Sequence, residues 1–172
     1  MTISHTLNIS SRSFSGGSNQ KDYSMDTTGV VERLRKLKEY IEELQPYVSL
    51  TLEEYLGDKE RQRAIERTLQ LAAQVCIDIG NYLVAYYGLQ TPDKPENIFS
   101  ILGRENLISE PLAQRLVGLV RFRNILVHGY LVIDPLKVQA ALANDSDLFF
   151  SFATAIEELI ERDQRENGEN AQ

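Results

Sequence analysis

The chain of 172 residues holds one cysteine, two histidines and no tryptophan, and nowhere do 18 apolar residues run together. Each shortage excludes something. A lone cysteine, Cys76, can close no disulfide within the chain and has no second cysteine at metal-ligand spacing. Set in an apolar-periodic stretch, it is expected to be a small buried hydrophobe. Without a long apolar run no membrane span is expected, and the cytoplasm is the default location. Positive charge is also short: 18 Lys and Arg stand against 25 Asp and Glu, a net charge of −7. The molecule as a whole therefore repels nucleic acid. Any site for it has to be a local basic patch, assembled from more than one chain if one cannot supply it. The β-period pattern is missing too, since Leu131-Val-Ile133 is the only β-looking run and is too short to build a sheet.

What is present fits one helical domain. With 42% hydrophobic and 25% charged residues the composition is ordinary for a globular protein, and a chain this long buries roughly 70% of the surface it exposes when unfolded. Residues 1–24 are rich in Ser, Thr, Asn and Gly, lack apolar periodicity and contain no hydrophobic core of a signal peptide. They are expected to be a disordered leader, with Met25 as an alternative start. From Val30 the apolar residues Leu34, Leu37, Ile41, Leu44 and Val48 follow at steps of four and three, an amphipathic helix that ends or kinks near Pro46. Thr51-Leu-Glu-Glu54 reads as a capping box opening a short helix that stops at Gly57. A second long helix is expected from about Asp58 to Tyr87, ended by Gly88 and the Thr-Pro-Asp-Lys-Pro cluster, and a short one over Asn97–Leu102. Ser109-Glu-Pro111 opens a third long helix reaching about His128. Asp134-Pro135 should start a short helix through Leu142, and Asn144-Asp-Ser146 should cap a last helix from Leu148 to about Arg165. The expected architecture is all-α: four long helices plus short accessory ones in an up-down bundle over 25–165, with 166–172 a disordered tail.

The chemistry concentrates in Arg123-Asn-Ile-Leu-Val-His128-Gly-Tyr130. The other histidine, His5, lies in the leader. Between Pro111 and Ile133 there are three arginines (Arg115, Arg121, Arg123) and no acid, so a segment of an acidic protein carries three positive charges. Cations complementing a helix C-terminus would explain Arg121 and Arg123, and less well Arg115; a strip facing phosphate would explain all three. At about 100° per residue, Arg123 returns to within about 20° of the face shared by Leu112, Leu116 and Leu119, while Arg121 points the other way. Arg121 is then a solvated cation, and Arg123 is aimed at apolar surroundings or an interface, where it needs an anionic partner. Tyr130 falls within about 20° of Arg123 if the helix continues, but His128 sits about 140° away. The three converge only if the helix loosens near Gly129 or a second chain completes the site.

A histidine at a helix end is more often structural than catalytic, yet here the roles fit one reaction. Imidazole titrates near neutrality and can take the proton of an RNA 2′-hydroxyl or protonate the leaving 5′-oxygen. A guanidinium can hold the phosphate bidentately and offset the charge that builds in the transition state. The products would be a 2′,3′-cyclic phosphate and a 5′-hydroxyl, and neither a metal nor another cofactor is needed.

The run from Arg123 to Tyr130 resembles the Arg-x-x-x-x-His-x-Tyr motif of the HEPN ribonuclease superfamily, and of HepT-type toxins in particular, over residues 25–165. The resemblance implies a HEPN helical bundle that forms a homodimer with two motifs beside a shared cleft. It implies Arg123 and His128 as catalytic residues, Asn124 as a supporting polar residue, and Asp78 as the polar residue that the family often carries on its second long helix. Asp78 lies near the apolar face of that helix, where it would either pair with a structural arginine or orient Arg123 or His128. The same resemblance implies RNA as substrate, tRNA or mRNA; on the phosphate-facing reading of the charge pattern, Arg115 and Arg121 are the further RNA contacts. It also implies a small nucleotidyltransferase antitoxin of the MNT type as partner, which transfers AMP onto the position matched by Tyr130. An added AMP would bring a phosphate and a nucleoside beside Arg123 and His128 and repel RNA. The competing function is a non-catalytic helical module, in which the motif serves dimerisation or nucleotide binding.

Overall fold

The computed structural model describes residues 27–128 and 133–169; within these, the side chains of His128, Asp145 and 167–169 are left out of the description. Among the described residues six α-helices follow in order: α1 (Thr27–Leu44), α2 (Leu52–Leu56), α3 (Lys59–Tyr86), α4 (Asn97–Arg104), α5 (Glu110–His128) and α6 (Pro135–Glu169), with one 3-10 turn at Gln45–Tyr47. Among the described residues there is no strand, and no helix is long and apolar enough to cross a membrane. The expected all-α bundle of four long helices, α1, α3, α5 and α6, with short accessory ones is the architecture found. The leader 1–24 and residues 170–172 lie outside the described residues.

Local chemistry sets the boundaries. α1 buries Val30, Leu34, Leu37 and Leu44 and gives way at Pro46 to the 3-10 turn. The box at α2 is formed in both directions: Glu54 N–H donates to Thr51 Oγ1 (3.2 Å), and Thr51 N–H donates to Glu54 Oε2 (2.9 Å). Asp58 caps α3 by accepting from the N–H groups of Glu60 and Arg61. At the far end Gly88 takes φ +61°. That left-handed turn lets Gly88 N–H reach the Ala85 carbonyl and Leu89 N–H reach the Val84 carbonyl, the paired bonds of a Schellman stop.

α3 is the centre of the bundle, touching α1, α4, α5 and α6. Its own exact fit depends on an absent side chain: a Cβ at Gly80 would stand 2.6 Å from Ile98 Cγ2, so α4 lies directly on this glycine. Gly103 does the same between α4 and α5, where a Cβ would meet that of Ala113 at 2.7 Å. The core fills with Ile65, Leu69, Ile79 and Leu83 from α3, Leu116 and Val120 from α5, and Phe149 and Phe152 from α6. Phe99 and Phe152 pack edge to face at 5.7 Å.

One expectation is corrected. Residues 135–165 are not a short helix followed by a capped one but a single helix that runs on past Arg165 to Glu169, so the tail expected from Glu166 is helical that far. Asn144 and Ser146, which look like caps in the sequence, bond backwards instead. Asn144 Nδ2 donates to the Ala140 carbonyl and Ser146 Oγ to the Leu142 carbonyl, both at 2.8 Å and both four residues back. A cap residue must leave helical geometry; with Val138, Leu142, Leu148 and Phe152 all buried on one face, packing holds the helix straight through and the polar side chains take the alternative bond.

Candidate functional site

α5 places the motif. Its buried side is Leu112, Ala113, Leu116, Leu119 and Val120, the stripe that periodicity predicts. Arg123 continues that stripe into a half-buried position, while Arg121 is exposed, as the helical projection requires. Arg123 Nη1 donates to Asn124 Oδ1 at 3.3 Å. Its Nε is fully shielded from solvent and, among the described residues, has no hydrogen-bond partner. Neither Arg121 nor Arg123 joins an ion pair there. A shielded, unmatched Nε is a cost to stability, and the Nε of Arg61 on α3 is in the same state.

His128 is the last residue of α5; its side chain, and the whole of Tyr130, lie outside the described residues. Asp78 is half-buried on α3, where its Oδ1 accepts from Gln74 Nε2 at 2.8 Å, one helical turn back. Among the described residues no ion pair ties it to a cation. The structure therefore brings together Arg123 and Asn124, with His128 closing the same helix, and gives Asp78 a glutamine as its hydrogen-bonded neighbour.

Arg115 is engaged elsewhere. Its Nη1 meets Asp147 Oδ2 at 2.9 Å and its Nη2 donates to the Asn144 carbonyl at 2.8 Å, fastening α5 to α6. It lines a groove of about 690 Å³ between the start of α5 and α6 that also includes Phe150 and Arg162. Neither of these two is conspicuous in the sequence. The signal for Phe150 is the doublet Phe149-Phe150: neighbours on a helix point about 100° apart, so one of two adjacent phenyl rings must leave the core. Phe149 is fully buried and Phe150 is 63% exposed.

Other reactive groups are silenced by burial. The Cys76 thiol is completely enclosed, which pushes its pKa well up and removes it as a nucleophile, in line with the expected buried hydrophobe. Burial, then the Glu66 carboxylate it bonds at 2.7 Å, raises the Tyr55 phenol in the same way. Among the described residues no three side chains of His, Cys, Asp and Glu are grouped to hold a metal ion.

Residues 37–156 match the family described as Ribonuclease HepT-like. The chain is 31% identical over 111 residues to the tRNA nuclease HepT of Aphanizomenon flos-aquae, covering 64% of this chain and 76% of that protein. It is 29% identical over 101 residues to the mRNA nuclease HepT of Shewanella oneidensis, covering 59% of this chain and 75% of that one. Among solved structures it is similar to the tri-AMPylated HEPN toxin of Shewanella oneidensis in complex with its MNT antitoxin, with a TM-score of 0.69 and 26% identity over 75% of this chain and 96% of that chain.

Proposed function

The chain belongs to the HepT-like ribonuclease family, and on that premise we propose that it is a metal-independent endoribonuclease, the toxin of a HEPN/MNT toxin–antitoxin pair acting in the cytoplasm. The observation that carries the proposal is Arg123: a half-buried guanidinium, on the apolar face of α5, with a shielded Nε that no described group accepts from, five residues before His128. A phosphate seated there would accept from the guanidinium in a water-poor setting, where charge-assisted bonds are strongest. Asn124 steadies one arm of the fork through its Oδ1.

The reaction follows from these groups. His128 removes the proton from the 2′-hydroxyl next to the seated phosphate, and the alkoxide attacks phosphorus. The P–O5′ bond breaks, leaving a 2′,3′-cyclic phosphate, and the 5′-oxygen takes up a proton from water, from Tyr130 or from the second histidine of a homodimer. Arg123 balances the extra charge on the phosphoryl oxygens as it develops. The dimer would set two motifs in one cleft and concentrate cations on an otherwise acidic protein. Asp78, on the neighbouring helix, would assist as an orienting carboxylate, and Arg121 would meet the RNA backbone from its exposed position. The names of the two relatives supply tRNA and mRNA as the substrate classes. A nucleotidyltransferase of the MNT type is the proposed partner, silencing the toxin by joining AMP to Tyr130.

The test is expression of the wild type and of His128→Ala, alone and with the partner. The wild type should arrest growth and cut RNA, and His128→Ala should do neither while remaining folded. With partner and ATP, the peptide bearing Tyr130 should gain mass in whole AMP units. Cutting by His128→Ala at the wild-type rate would remove the mechanism, and AMP found on another residue would remove the regulation.

A further inference from the structure

A glycine inside a helix destabilises it relative to alanine. Gly80 and Gly103 are explained by the helices that lie against them. Gly118, in the middle of α5, is exposed, and a Cβ there would meet nothing within 4 Å among the described residues. Packing within the chain therefore gives no reason for it. Seven residues on, Ile125 is 42% exposed. That spacing is about 10 Å along the axis and about 20° around it, so a bare spot and an apolar knob share the outward face of α5. The other large exposed apolar side chains, Val31, Leu56, Leu136 and Phe150, each have an Asp or Glu within three residues in sequence. Around Ile125 there is none, and from Pro111 to His128 α5 carries no acid at all. On a chain of net charge −7, a second and equally acidic copy can settle only where carboxylates are absent. An unrelated acidic protein would find one cation beside this face, Arg121, but no matching shape.

We infer that this face of α5 is the homodimer interface, packed antiparallel so that Ile125 of each copy sits over the partner's Gly118. Such a contact repeats itself under a two-fold, as an interface between identical chains must. Parallel packing would set glycine against glycine and isoleucine against isoleucine, a gap beside a clash; the antiparallel pair fills each hole with a knob. The two-fold then passes between residues 121 and 122, perpendicular to the helix pair. Around α5, Arg121 and His128 fall about 40° and 60° to one side of Ile125, Asn124 about 100° to that side, and Phe122 about 60° to the other. This two-fold keeps like sides together, so Arg121, Asn124 and the His128 position of both copies border one cleft. Asn124 ties Arg123 to its edge. The inference rests on the shared-cleft nuclease proposed above and names the surface that makes the cleft.

Light scattering of the purified full chain should show a dimer. Gly118→Leu has room for its side chain in a single copy, so it should keep its helical circular dichroism while self-association weakens about a hundredfold. Co-expressed Gly118→Cys and Ile125→Cys chains should form a disulfide-linked dimer on mild oxidation. Neither variant alone should do so, because like positions would stand about 10 Å apart along the axis, and the native Cys76 is buried. A Gly118→Leu dimer as firm as wild type, or cross-linking by either cysteine alone, would overturn the interface and leave the nuclease reading untouched. A wild-type chain that is monomeric until the nucleotidyltransferase is added would overturn it as well, giving the face to that partner. Dimers that cross-link as expected but cut no RNA would count against the nuclease reading and leave the interface standing.

Discussion

At the scale of the residue, Arg123 and Arg121 show how position on one helix decides what a cation is for. Two residues apart, they differ by about 200° around α5; one is half-buried beside the core and the other stands in water. That distinction is legible in the sequence because Leu112, Leu116 and Leu119 define the buried side. The engagement of Arg115 is not, because Asp147 lies on another helix and the register between α5 and α6 is fixed by packing rather than by any local pattern. Both members of that pair are largely exposed, so the bridge contributes at most about 1 kcal/mol. In the phosphate-binding role proposed for Arg123 the planar fork would matter, since an ammonium cannot reproduce two parallel bonds to a phosphate. Arg123→Lys should therefore lower the single-turnover cleavage rate about a hundredfold with little change in melting temperature. A lysine variant within twofold of wild type would show that charge alone suffices and that the fork plays no part.

At the scale of the element, helix boundaries were readable where the signal and its target are adjacent in sequence, as at Thr51 with Glu54 and at Gly88. Capping misled at Asn144 and Ser146, where the same residue types bond back to the Ala140 and Leu142 carbonyls inside a continuous α6. A short polar side chain serves either geometry, and only the buried stripe of α6 decides. The close approaches at Gly80 and Gly103 were likewise invisible, because they depend on which helix arrives opposite. The box at α2 has a consequence for acid stability. Glu54 is held below the usual carboxylate range, first by the Thr51 backbone N–H and then by its hydroxyl. A depressed folded pKa stabilises above the ordinary glutamate value of about 4.3, and the contribution is lost as pH falls through the folded value. Glu54→Gln should thus lower the melting temperature at neutral pH, with the gap closing below about pH 4. A gap that stays constant down to acid would mean the charge is irrelevant to the box.

At the scale of the whole molecule, an acidic bundle built on α3 carries on α5 a run of three arginines without an acid from Pro111 to His128, with a groove beside α6 at the start of that helix and the motif at its other end. The helical bundle was legible from periodicity and the family from the resemblance of the motif; the Phe150 groove was not, because it needs two helices placed side by side. His128 and Arg123 on one ideal helix diverge, which is why a cleft shared by two copies is the assembly proposed. The central claim is the chemistry itself: cleavage by the substrate's own 2′-hydroxyl under Arg123 and His128. The most direct measurement is analysis of the cut ends of RNA digested by the purified protein in excess EDTA. Cleavage should persist, leaving a 2′,3′-cyclic phosphate and a 5′-hydroxyl, and a single 2′-deoxy substitution at the cut position should block it. Activity that vanishes with EDTA and returns with a divalent cation to give a 3′-hydroxyl and a 5′-phosphate would contradict it.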